Sequence, residues 1–73
     1  MIKLKLRIKD LREDHDLTQK KISEILMCDQ SLYSKYERGE REIPLVLLVK
    51  LADYYKTNLD YLVCRTDNPD MIL

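Results

Sequence analysis

The chain has 73 residues, and a length this short supports a single hydrophobic core. Its 13 Lys and Arg balance 13 Asp and Glu to a formal charge of zero, which excludes a grip on nucleic acid by bulk charge alone. No apolar run approaches the roughly 18 residues of a membrane span, and two lone cysteines with one histidine lack the paired spacing of a zinc site.

Gly39 is the only glycine, and Pro44 and Pro69 are the only prolines, so long unpunctuated stretches favour helices over strands and tight turns. Leu4, Ile8, Leu11 and His15 fall at helical spacing among charged residues, which predicts a first helix over about 5 to 15. Thr18 is placed to cap a second helix whose buried stripe is Ile22, Ile25 and Leu26, ending near Met27. Asp29 is placed to cap a third helix over 30 to 38, with Tyr33 and Tyr36 on one face and Gly39 as its left-handed stop. Pro44 suits the first turn of a fourth helix over 44 to 55, carrying Leu45, Leu48, Leu51, Ala52 and Tyr55. Asn58 is placed to cap a short fifth helix anchored by Leu59, Leu62 and Val63. The expected domain is therefore all-α, with five helices over 1–66, and the polar 67–73 is expected to be a flexible tail.

Cys28 and Cys64 read as reduced thiols filling small gaps. The alternation of charged and apolar residues at the start of the chain is unlike a signal peptide, so a soluble, cytoplasmic protein is expected. No nucleophile with its base, no paired acids and no metal constellation stands at usable spacing; neither an enzyme, nor a cofactor, nor a small-molecule ligand is expected. Of the five tyrosines, Tyr33, Tyr36 and Tyr55 fall on core faces by spacing, which disfavours stacking on single-stranded bases. His15 reads as a surface residue at the end of helix one. Residues 1–41 carry ten Lys and Arg against eight Asp and Glu, and 42–73 carry three against five, so the first half is the anion-facing side.

Residues 18–38 place two short capped helices around a tight connection at Met27-Cys28-Asp29, the layout of a helix-turn-helix. Five blocks in order then carry a resemblance: Arg7 to Arg12, Leu17-Thr18-Gln19, Ser34 to Arg41, Lys50 to Tyr55, and Leu59 to Leu62. In these the chain resembles the Cro/repressor, or XRE-type, helix-turn-helix family over nearly its whole length. The resemblance implies a compact five-helix, lambda-repressor-like fold. It further implies a homodimer on double-stranded operator DNA, with helix three in the major groove and regulation of transcription, as a repressor, as its function.

The resemblance also assigns roles. The start of helix two, Thr18, Gln19 and Lys20, faces the DNA, with Gln19 on a phosphate, consistent with the pull of exposed helix-start amides on an anion. Gln30, Ser31, Ser34 and Lys35 face base edges; Gln suits adenine and Lys suits the acceptors of guanine. Arg38 and Arg41 are phosphate candidates. Leu32 has two readings, contact with a thymine methyl or packing at the helix edge. Arg12 and Glu37 match a pair expected as a partly buried bidentate bridge that orients helix three. The dimer interface is expected around Thr57, Asn58, Leu59 and Tyr61, reaching Cys64.

The chain departs from the pattern in places. Lys20 and Lys21 stand where relatives carry acids, opposing the helix dipole until a phosphate arrives. Met27 replaces a common turn glycine. Val46 and Val49 widen the apolar band of helix four, as a partner surface or as a broad core stripe. A polar helix face is ordinarily just solvated, and the rival function is an antitoxin-like interaction module with DNA binding secondary.

Overall fold

The computed structural model describes residues 5–70, so Leu4 of the expected first helix and the last three residues lie outside the described residues. The described residues form five helices: α1 (Ile8–Asp14), α2 (Gln19–Leu26), α3 (Gln30–Arg38), α4 (Leu45–Tyr55) and α5 (Leu59–Leu62). No strand occurs among them.

Helix α1 is shorter than its apolar spacing predicts. The Arg7 amide donates to the carbonyl of Leu62, at 2.9 Å, and the Arg7 Nε donates to the carbonyl of Tyr61, at 2.8 Å, so the chain before Ile8 is committed to α5 rather than to an extra helical turn. At its other end, Asp16 turns left-handed and the Leu17 amide closes on the Arg12 carbonyl at 3.0 Å.

All five helices end in the same way. In each, a residue with positive φ follows the last turn, and its own amide and the next one donate back to carbonyls of that turn, satisfying groups a helix end otherwise leaves open. Gly39 does this for α3 at φ 74° without a Cβ to oppose it. The other four positions are Asp16, Met27, Lys56 and Cys64, non-glycine residues in a region that crowds Cβ.

Helix starts are more varied. The Thr18 hydroxyl accepts from the Lys21 amide at 3.0 Å, and the Asn58 side chain accepts from the Tyr61 amide at 2.8 Å, as expected of caps. Asp29 occupies the capping position of α3 in extended conformation, but its carboxylate accepts no bond from the first turn; only its carbonyl engages, taking the Tyr33 amide at 3.0 Å. Pro44 stands one position outside α4, with φ −61°, and offers its carbonyl to Leu47 and Leu48.

The core gathers Ile8, Ile22, Leu26, Tyr33, Tyr36, Leu48, Leu51, Ala52, Tyr55 and Leu62. Helix α2 packs on α3 and on α4, and α4 packs on α5. The expected apolar stripe of α4 is corrected at its start. Leu48, Leu51, Ala52 and Tyr55 are buried, whereas Leu45 is 66% exposed, because it stands on the first turn beyond the packed part of the stripe. Val46 and Val49, 63% and 39% exposed, are likewise not a widened core stripe.

Residues 66–70 lie against the start of α5. The Thr57 hydroxyl donates to the Pro69 carbonyl at 2.5 Å, and the Asn58 amide nitrogen donates to the carbonyls of Asn68 and Asp70. Arg7 adds an ion pair with Asp67 at 2.8 Å while its guanidinium sits 4.5 Å over the Tyr61 ring.

Candidate nucleic-acid interface

The surface is set by what α3 buries. Tyr33 is fully buried and Tyr36 nearly so, and residues three apart share a helix face. The opposite side is therefore turned outward: Gln30, Ser31, Lys35 and Arg38 are exposed and Ser34 is half-buried. Leu32, half-buried, packs against the core cluster, so its place fits the edge-packing reading. Arg41 is exposed in the loop beyond Gly39.

Helix α2 holds α3 in that attitude. Ile22, Ser23 and Leu26 form its buried side, and the Ser23 hydroxyl is retained by the Lys20 carbonyl at 2.7 Å. The connection is tight because Met27 takes φ 58° and the Cys28 amide returns to the Ser23 carbonyl at 3.0 Å. Met27 thus adopts the conformation for which glycine is suited, with its side chain 86% exposed. Burial raises the Cys28 thiol pKa, and the nearby Asp29 charge adds to the effect.

The junction of α1, α2 and α3 is a charged cluster with little access to water. Arg12 Nε donates to Glu37 Oε2 at 2.7 Å and Nη2 donates to Oε1 at 3.2 Å, a bidentate pair that leaves 13% and 1% of the two side chains exposed. Arg12 Nη1 also donates to the Leu17 carbonyl at 2.8 Å, tying the α1–α2 link to the same guanidinium. Burial alone would push the Glu37 pKa up. Hydrogen bonds from Arg12 and Gln19, with the Tyr33 hydroxyl nearby, reverse this and hold it below the usual carboxylate range.

Gln19 is the finding that sequence reasoning missed. Its amide nitrogen donates to Glu37 Oε1 at 2.9 Å, so the residue read as a phosphate contact is also the third arm of the buried bridge. Spacing gives no signal for it, since the two residues stand 18 apart on different helices. Thr18 is exposed beside it with its hydroxyl oxygen engaged as a cap, and Lys20 and Lys21 are exposed on the same turn.

Arg38 makes a further ion pair, with Glu40, and its Nη1 donates to the Ser34 hydroxyl one turn back. Both side chains of that pair are 54% exposed. The expected interface residues of α5 divide. Thr57 is buried, Asn58 is engaged by the carbonyls of Asn68 and Asp70, and Leu59, Tyr61 and Cys64 are half-buried. Among the described residues, no three His, Cys, Asp or Glu side chains group so as to hold a metal, and no helix is long and apolar enough to cross a membrane.

Comparison with known proteins agrees with this geometry. A relative, "Uncharacterized HTH-type transcriptional regulator YobD" of Bacillus subtilis (strain 168), is 38% identical over 64 residues, covering 88% of this chain. The match spans 57% of that relative's own length. The helix-turn-helix family model matches residues 8–62, from the first residue of α1 to the last of α5. The chain belongs to the XRE-type helix-turn-helix family.

Proposed function

We propose that this domain is a sequence-specific regulator of transcription that reads the major groove of double-stranded DNA with α3 and represses by occupying its operator. The observation that carries the reading is the division of α3, whose tyrosines anchor one side while Gln30, Ser31 and Lys35 stand exposed on the other. A major groove about 12 Å wide admits such a helix, and its leading turn then meets base edges. Gln30 suits adenine, Lys35 suits guanine, and Thr18, Gln19, Lys20, Arg38 and Arg41 hold the flanking phosphates. Half-sites about 34–36 Å apart call for a two-fold homodimer, joined through the half-buried Leu59, Tyr61 and Cys64 of the α5 surface.

Selection of bound duplexes from a random pool tests this. The expected result is a near-palindromic site whose affinity falls steeply with salt, and loss of discrimination at one position on Gln30→Ala or Lys35→Ala. Binding that shows no sequence preference would refute it, as would a monomer in sedimentation both free and on the selected site.

A second reading, a module that chiefly binds another protein, is favoured by the exposed Leu45, Val46 and Val49 on α4. Under that reading Val46→Lys abolishes partner binding while duplex affinity is retained.

A further inference from the structure

Arg38 and Glu40 form an ion pair on the very edge of α3 that the DNA-binding reading turns toward phosphates. The placement follows from the backbone. Gly39 at φ 74° reverses the chain, the Glu40 amide closes on the Lys35 carbonyl at 2.9 Å, and the Glu40 carboxylate reaches the Nε of Arg38. On the other side Ser34, one turn earlier on the helix, accepts from Nη1. Two of the three guanidinium nitrogens are thus held by the chain itself.

We infer that Glu40 is a specificity-determining residue, a built-in counter-charge that masks Arg38 from distant phosphates and releases it only at a site where close contact is possible. This rests on the DNA-binding reading above. A paired cation and anion attract a remote phosphate far less than a lone cation does, because their fields largely cancel beyond a few ångströms and salt screens the remainder. Non-specific affinity depends on such unmasked cations. Both partners are 54% exposed, and exposed pairs are weak enough for a phosphate seated against α3 to displace the carboxylate. Ser34 keeps the guanidinium along the helix edge while this exchange takes place. Discrimination between an operator and random duplex therefore increases because the loose, long-range part of binding is suppressed.

The test measures affinity of the full chain for its selected operator and for random duplex across a salt series, with Glu40→Gln, Arg38→Gln and the double variant. All the changes lie on exposed positions, and thermal melts confirm folding. Unmasking one cation adds about 0.9 to the salt slope on random duplex, or about 3-fold to 4-fold in affinity for a fourfold drop in salt. Glu40→Gln is expected to show that gain with a smaller operator-to-random ratio, and the gain is expected to vanish when Arg38 is Gln. A gain that persists without Arg38 overturns the inference, as does weaker binding by Glu40→Gln to both duplexes. If the unchanged chain binds no duplex even at low salt, the DNA-binding reading falls and takes this inference with it; binding by the unchanged chain with either contrary variant result sinks the inference alone.

Discussion

Two arginines of this domain each pair with a glutamate belonging to α3 or its closing turn, and they do different work. Arg12 meets Glu37 where three helices join, with 1% of the glutamate side chain exposed, and each partner has further hydrogen bonds to Leu17 or Gln19. Arg38 meets Glu40 in the open, 54% exposed on both sides. The chemistry of the pairs is the same and the surroundings differ. A buried charge stripped of its partner stays uncompensated, whereas an exposed one turns to water, so the first pair fixes where α3 lies and the second is free to exchange partners.

Breaking the buried pair gives the largest expected effect. Arg12→Met strands the Glu37 carboxylate and is expected to destabilise the fold by about 3–5 kcal/mol in denaturant titration. A loss no larger than that of Arg38→Met would erase the distinction. The acid limb sharpens it. Glu37 titrates below its ordinary value of 4.5 in the folded chain, so its contribution is complete above that pH and declines as pH falls toward the folded value. Glu37→Gln is expected to flatten that part of the acid unfolding curve, followed by circular dichroism.

Smaller effects probe the neighbourhood of the buried pair and then the exposed one. The hydroxyls of Tyr33 and Tyr55 are buried without a hydrogen-bond partner of good geometry, and burial raises the Tyr55 pKa to about 12. Tyr55→Phe is expected to leave stability unchanged or raise it by up to about 1 kcal/mol, since an unmade hydrogen bond is removed with its desolvation cost. A clear loss in thermal melts would show that the hydroxyl has a partner. Arg38→Met is expected to change stability least, by under about 1 kcal/mol, in the same denaturant titration.

The sequence was most legible where side-chain chemistry acts locally. The end of α3 could be read because Gly39 takes the left-handed closure, and the outward face followed from the three-residue interval between Tyr33 and Tyr36; the start falls at Asp29 as expected, but without the carboxylate bond that was the reason for expecting it. The Arg12–Glu37 pair was legible only through the family resemblance. The start of α1 was not legible, because the bond that withholds Arg7 from the helix runs to Leu62 at the far end of the domain. Nor was the exposure of Leu45 and Val46, since apolar character says that a residue can be buried and not that another element covers it. Gln19 was read as facing outward to a phosphate, and its inward bond to Glu37 depends on a helix packing that spacing along one chain does not encode.

The shared left-handed closures bear on whether any piece of this protein can stand alone. Its helices run from 4 to 11 residues, and isolated helices shorter than about 12–15 residues are marginal in water. Each is held by a closed end and by neighbours, so the elements are expected to form and melt together as one cooperative unit. A peptide cut to residues 18–38 would carry most of the proposed reading side chains and lose the shape that presents them.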